Sequence, residues 1–273
     1  LWVTDNETAL STYDEINTWD VSLITDMRDL FNNKTTFNDD ISNWDVSSVT
    51  TMSFMFKNAT SFDQDLNGWD VSNVTNMEHI FKYASTFNGD VTDWDVSSVV
   101  EMGGTFNSAL NFNQDLNGWD VSSVVEMGEM FQGASSFNGD VTDWDVSNVT
   151  SFNRMFNNAS SFNQNISSWD VSNASWLDMF VGADALSDAN QCFIHTAFSS
   201  NGNWPYDWSG DCFGLMQTKA ELQTAVNLWI SDNATALSTY GEVNTWDVSQ
   251  ITDMSELFKD KTTFNDDLSN WDV

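Results

Sequence analysis

The chain has 273 residues, 41% hydrophobic and 14% aromatic, which is enough apolar material to build an ordered core. Its 41 acidic and 8 basic residues give a net charge of -33, which excludes nucleic acid and anionic lipid as partners because phosphate binding requires Lys and Arg. No run of about 18 apolar residues occurs, so this segment is not expected to insert directly into a membrane.

The dominant feature is a Trp-Asp-Val motif that recurs every 25 residues. It occurs at Trp19, Trp44, Trp69, Trp94, Trp119, Trp144 and Trp169, and again at Trp246 and Trp271. Further apolar columns keep the same period, such as Phe31, Phe56, Phe81, Phe106, Phe131 and Phe156. This spacing is typical of repeat proteins, in which stacked units share one continuous core.

Each 25-residue unit is predicted to contain one strand and one helix. The spacing of Val49, Met52, Met55, Phe56 and Ala59 predicts a short helix, and the stretch 66–71 predicts an extended segment. The predicted fold class is therefore an α/β repeat solenoid with terminal caps. Its coils would be leucine-rich-repeat-like, with one short parallel strand plus a short helix each. Neighbouring strands are expected to lie about 4.8 Å apart in a parallel sheet.

The order of segments along the chain predicts capped modules. Residues 1–18 are predicted to end an N-terminal cap, 19–182 to form a solenoid of 25-residue repeats, and 183–216 to form a C-terminal cap. Residues 217–245 would cap the next module, because Thr218 and Glu221 have the spacing of a capping box. Residues 246–273 would begin a truncated second solenoid.

The two cysteines lie in the predicted C-terminal cap. Cys192 and Cys212 are close in sequence, which predicts one disulfide bond and an oxidising compartment. Two separate reduced thiols are the alternative.

A second, longer repetition contains the first. Residues 228–273 repeat residues 1–46 with 35 identities over 46 aligned positions, at an offset of 227 residues. We therefore expect the chain to be a window from a longer tandem protein whose modules recur about every 227 residues.

The repeats resemble a known family. Units such as Phe62-Asp63-Gln64-Asp65-Leu66-Asn67-Gly68-Trp69-Asp70-Val71-Ser72 are similar to the 25/26-residue repeats of bacterial surface proteins, often grouped with BspA-like leucine-rich-repeat surface proteins. The resemblance covers about residues 19–180 and 246–273. It implies cell-surface or secreted proteins with a role in adhesion or envelope structure, and it implies no known chemistry.

An Asp follows every motif Trp, so stacking would bring like charges together at about one repeat spacing. The favoured interpretation is that each carboxylate accepts N–H bonds at a turn or helix start. The alternative is a column of Ca²⁺ ions, bound by the candidates Asp45, Asp70, Asp95, Asp120 and Asp145, and no other cofactor is expected. A second acidic column holds Asp40, Asp65, Asp90, Asp115 and Asp140.

Asparagine also recurs in columns. Asn38, Asn88, Asn113, Asn138 and Asn163, with Asp63 in one unit, predict a hydrogen-bonded ladder. Asn-x-Ser/Thr sequons predict glycosylation if the source is eukaryotic and secretory, although chance explains some of them in a chain rich in these residues. The candidate acceptors are Asn6, Asn33, Asn58, Asn73, Asn148, Asn158, Asn173 and Asn233.

These patterns favour a structural protein over an enzyme. The only histidines are His79 and His195, and no nucleophile, P-loop, zinc or dinucleotide motif is present, so no catalytic residue is expected. We expect an extracellular, secreted or cell-surface structural protein that forms an appendage, fibre or coat. Its partners would be copies of itself or neighbouring modules of the same chain. The alternative is a cell-surface adhesin that binds a glycan or a protein, with calcium dependence as a variant.

Overall fold

The computed structural model describes residues 2–273, except for the side chain of Asp211. Leu1, where the predicted 1–18 cap begins, lies outside the described residues. The chain divides into two compact units. The first comprises the residues up to Ser187 together with Ala197–Pro205, and the second comprises Asp188–Thr196 and Tyr206–Val273.

The helices lie outside the stacked repeats. They are α1 (Asn6–Tyr13), α2 (Asp188–Phe198), α3 (Lys219–Ser231) and α4 (Asn233–Tyr240), with 3₁₀ turns at Ile16–Thr18, Ser209–Cys212 and Val243–Thr245. Asp5 and Asp232 cap α1 and α4 in the same way, each accepting a hydrogen bond from the N–H three residues later. The predicted capping box at Thr218 and Glu221 is present at the start of α3.

The predicted α/β repeat solenoid, with one strand and one helix in each leucine-rich-repeat-like coil, is wrong. Helix accounts for about 18% of the chain, and residues 2–273 contain no β-strand and no sheet. Each 25-residue repeat is instead a series of tight turns. Successive units touch through single parallel bridges, of which Asp26–Thr51, Thr51–Asn76 and Asn76–Glu101 are the first three.

The turns arise because backbone N–H groups alternate between two kinds of partner. Between residues 52 and 58, every second N–H donates to a carbonyl of the next repeat, and the N–H groups of Met55 and Lys57 donate three residues back. The bonds to the next repeat are Met52 to Asn76, Phe54 to Glu78, Phe56 to Ile80 and Asn58 to Lys82, at 2.8–3.0 Å. Phe54 and Asn58 also have positive φ angles of 60° and 57°. A continuous α-helix, with each N–H bonded four residues back, cannot form under these conditions.

The core of the first unit is a set of stacked aromatic columns. Phe56, Phe81 and Phe106 are fully buried, and their ring centroids lie 5.5 and 5.6 Å apart. A second column stacks beside the first, with Phe81 and Phe87 only 3.8 Å apart. Burial of such rings stabilises the stack, and a single repeat does not hold enough apolar surface to fold alone.

The last repeat of the first unit is covered by residues 197–205. The ring of Phe198 packs at 5.5 Å from Trp176, and Trp204 meets Trp176 edge-on at 5.2 Å. The side-chain amide of Asn201 donates to the carbonyl of Val171 at 2.9 Å. The aromatic column therefore ends against protein at this position.

The second unit has its own core, built by the helices and the start of a new stack. Leu222, Ala225 and Val226 of α3 pack in one cluster with Trp246 and Leu257. The predicted disulfide between Cys192 and Cys212 is present in this unit. It joins α2 to the 3₁₀ turn that precedes α3. The remaining predicted module boundaries stay predictions.

Candidate functional site

The carboxylate that follows each Trp closes a turn. Asp45 accepts hydrogen bonds from the hydroxyl of Ser47 at 2.6 Å and from its backbone N–H at 3.1 Å. The same pair of bonds occurs at Asp70, Asp95, Asp120 and Asp145, each with the Ser two residues later. This is the turn interpretation that the sequence favoured.

These hydrogen bonds also affect protonation. The Ser hydroxyl, followed by the backbone N–H, holds the pKa of Asp45, Asp95 and Asp145 below the ordinary value of 3.8. Among the described residues, no three His, Cys, Asp or Glu side chains come together in a group that could hold a metal ion. Calcium binding by the column stays a prediction, which thermal melts with and without a chelator would test.

The predicted asparagine ladder is confirmed. Each side-chain oxygen accepts the backbone N–H of the equivalent residue one repeat later. The bonds run from Asn38 to Asp63, Asn88, Asn113, Asn138 and Asn163 in succession, at 2.7–2.9 Å. The ladder therefore satisfies N–H groups that would otherwise face solvent between the repeats.

A tryptophan ladder runs parallel to it, and the sequence did not predict it. From the second repeat onward, the motif Trp of the first stack donates its indole N–H to a carbonyl 28 residues earlier, whereas Trp19 donates to the carbonyl of Asp14 only five residues earlier. The donors are Trp44, Trp69, Trp94, Trp119, Trp144 and Trp169, at 2.8–3.1 Å. A buried indole requires such a partner, which was the available signal for the ladder.

Seven of the eight sequon asparagines are exposed, and Asn58 is half-buried. Asn33, Asn58 and Asn158 share a column in which every repeat needs a positive φ angle, here 57–60°. Asn adopts this conformation more readily than most residues, which explains its recurrence there without a glycan. Asn58 also donates its amide to Asn33 at 2.8 Å, so the two candidate acceptors contact each other.

A polar cluster lies on one face of the middle repeats, where the sequence predicted nothing. Asn107 is 3% exposed, and its amide donates to Glu129 at 3.1 Å and to Gln132 at 3.0 Å. Lys82 reaches the same Glu129 carboxylate at 3.3 Å. Burial, followed by the charge of Lys82, lowers the pKa of the neighbouring His79. The cluster links polar side chains of successive repeats and leaves the buried amide of Asn107 with partners.

A pocket of about 630 Å³ opens at the first repeat. Its lining residues are Trp2, Tyr13, Asp14, Thr18, Trp19, Asp20, Val21 and Ile24. Trp2 stands edge-on to Trp19 at 5.6 Å, and Tyr13 approaches the same ring at 6.0 Å. The lining therefore combines aromatic, aliphatic and polar residues. None of the described helices is long and apolar enough to cross a membrane.

The chain matches one known family. The family model, described as "Mycoplasma protein of unknown function, DUF285", matches residues 4–116, 89–193 and 218–273. The matches include the stacked repeats and the second copy of the opening sequence. No curated protein matches the chain. The match shows this family, whose description gives no function. The finer resemblance to BspA-like surface proteins stays a prediction.

Proposed function

The chain belongs to the DUF285 family, and we propose that it is an extracellular structural protein whose tandem modules join into a surface appendage, fibre or coat. The observation that carries the proposal is the second copy of the first 46 residues at an offset of 227. A module that is repeated at a constant spacing extends an assembly without needing a new fold for each segment.

The stacked repeats supply the mechanical property that such a role needs. Hydrogen bonds between equivalent positions, the Asn and Trp ladders and the stacked rings all join one repeat to the next. Bending the stack would stretch all of these contacts together. The repeats therefore act as a stiff element within each module.

Four features support a location outside the cell. The Cys192–Cys212 disulfide persists in oxidising surroundings. Most sequon asparagines are exposed, and the net charge of -33 favours solubility in salt-containing media. The resemblance to BspA-like surface proteins points the same way.

Two measurements test the proposal. Immunogold labelling of intact, unpermeabilised cells with antibodies against this chain should mark the surface or shed fibres. Negative-stain images of the native material should show filaments or sheets with a regular repeat. Gold found only inside permeabilised cells would overturn the extracellular location, and dispersed single particles in concentrated native material would overturn the structural role.

A further inference from the structure

One column of side chains in the polar cluster changes its chemistry from repeat to repeat. The column runs through Lys57, Lys82, Asn107, Gln132 and Asn157, each 25 residues after the one before. Its members contact one another, since Asn107 donates to Gln132 at 3.0 Å and Gln132 donates to Asn157 at 3.3 Å. Within this column, a lysine is followed by an amide at a single step, from Lys82 to Asn107.

The carboxylate of Glu129 joins these two side chains at one oxygen. Its Oε2 accepts hydrogen bonds from Nζ of Lys82 at 3.3 Å and from Nδ2 of Asn107 at 3.1 Å. A carboxylate can only accept hydrogen bonds, so the atom of Asn107 that faces it is the nitrogen. The amine and the amide are thereby held against the same proton acceptor, which is the proximity that a reaction between two side chains requires.

The oxygen of the same amide has a donor of its own. The hydroxyl of Ser108 donates to Oδ1 of Asn107 at 3.0 Å. A hydrogen bond to this oxygen stabilises the negative charge that develops on it when a nucleophile adds to the carbonyl carbon. The amide therefore has one partner for its oxygen and another for the nitrogen that would leave.

The reacting groups are largely closed to water. Asn107 is 3% exposed, and the side chain of Lys82 is 15% exposed. Exclusion of water favours attack by the lysine over hydrolysis of the amide. The side chain of Glu129 is 35% exposed, which leaves a route by which a small product can depart.

We propose that Lys82 and Asn107 form an intramolecular isopeptide bond, with Glu129 carrying the protons. Glu129 takes a proton from the ammonium of Lys82, and the free amine attacks Cγ of Asn107. The bond between Nζ and Cγ forms, Glu129 protonates Nδ2, and the bond between Cγ and Nδ2 breaks to release ammonia.

The proton balance closes on the carboxylate. After ammonia has left, Glu129 takes the second proton from Nζ and passes it to the ammonia, which departs as ammonium. The lysine and the amide are the only reactants, and the carboxylate is restored. The product ties two successive repeats together covalently, and it depends on the folded repeats alone and not on an extracellular role.

Intact mass spectrometry of the complete, unglycosylated 273-residue chain, folded and with its disulfide formed, tests the proposal. We expect a mass lower than that of the disulfide-bonded sequence by one molecule of ammonia. Reduction and chemical cleavage after methionine then produce residues 78–102, which contain Lys82, and residues 103–127, which contain Asn107. The isopeptide bond keeps these two fragments joined, whereas a succinimide at Asn107 would also release ammonia but leave them separate.

Three variants assign the groups. Lys82→Arg keeps the positive charge but removes the nucleophile, so the ammonia should be retained and the fragments should separate. Glu129→Gln keeps the shape but cannot carry the proton, and it should likewise prevent the bond. Lys57→Arg is the matched control, because Lys57 is followed in the column by Lys82 and not by an amide, and it should leave the bond intact.

The results that contradict the proposal are distinct. A folded wild-type chain with the full sequence mass would overturn it, and so would separate fragments despite the loss of ammonia. Joined fragments in the Lys82→Arg variant would show that another amine reacts. Full formation of the bond in the Glu129→Gln variant would overturn the role given to the carboxylate.

Discussion

The stacked repeats and the helical segment of the second unit hold their backbones in different ways. In the repeats, every second N–H between residues 52 and 58 bonds to a carbonyl of the next repeat, so the fold of each repeat depends on its neighbour. In α3, the N–H groups bond within the helix and Thr218 caps its start. A disulfide then ties this region to α2. The stacked repeats are therefore stabilised by contacts with one another, whereas the helical segment is stabilised by local hydrogen bonds and the disulfide.

The largest expected effect comes from removing a ring inside the stack. Phe106 is fully buried, with its centroid 3.8 Å from Phe112 and 5.6 and 5.7 Å from the rings one repeat before and after. Phe106→Ala should lower the free energy of unfolding of the first unit by about 3–5 kcal/mol. Urea unfolding followed by hydrogen exchange of the repeats measures this loss.

The matched control is Phe258→Ala in the second unit. Phe258 is only partly buried and lies 4.6 Å from Phe264 and 6.0 Å from Trp271, with no fully buried column around it. Its loss should be clearly smaller. Equal losses for the two variants would contradict the view that stability in the stack comes from rings packed on both sides.

Removal of the disulfide should destabilise the helical segment of the second unit. The cysteines are 20 residues apart in sequence. A disulfide that closes a loop of this size raises the free energy of unfolding by roughly 3 kcal/mol. The double variant Cys192→Ala with Cys212→Ala should speed hydrogen exchange in α3 and α4 and leave the repeats near 81–131 unchanged. Faster exchange throughout the repeats would show that the two regions do not hold their order independently.

A methyl group placed between repeats should have a moderate effect. A Cβ atom on Gly89 would lie 2.2 Å from the backbone oxygen of Gln64 in the preceding repeat, whereas one on Gly68 would meet nothing within 4 Å. Gly89→Ala should therefore destabilise the first unit by about 1–3 kcal/mol through overpacking. Gly68→Ala, measured in the same urea titration, should be nearly neutral, and a comparable loss there would remove the steric explanation.

The sequence predicted the core well and the backbone poorly. The period of 25 places Trp, Val, Met and Phe in columns, and those columns are the buried ones. Residues three apart, such as Met52 and Met55, suggested a helix because chained turns place them on one side as a helix does. The positive φ angle at Phe54 and the bonding of N–H groups to the next repeat could not be predicted from the spacing of apolar residues within one repeat.

The candidate site could be predicted only in part for a related reason. The turn carboxylates follow from Asp-x-Ser spacing alone, since donor and acceptor are two residues apart. The polar cluster around Asn107 does not, because its partners Glu129 and Gln132 lie 22 and 25 residues away in sequence and meet it only when the repeats stack.

The smallest effect is expected at a turn carboxylate, where the two kinds of hydrogen bond can be separated. The hydroxyl of Ser97 is the main cause that lowers the pKa of Asp95, while at Asp170 the backbone N–H of Ser172 is the main cause. Ser97→Ala should therefore raise the pKa of Asp95 towards 3.8. Ser172→Ala should raise that of Asp170 by less, and carbon-detected NMR titration of the two carboxyls compares them.

The sign of the accompanying stability change follows from the direction of the shift. A carboxylate whose pKa is lowered in the folded state stabilises that state above pH 3.8, and this contribution disappears as the pH falls through the folded pKa. The Ser97→Ala variant should thus be less stable than the wild type at neutral pH, within about 0.5 kcal/mol for a surface change. The difference should vanish in acid, and a difference that persists there would mean that the hydroxyl acts through packing and not through the charge of Asp95.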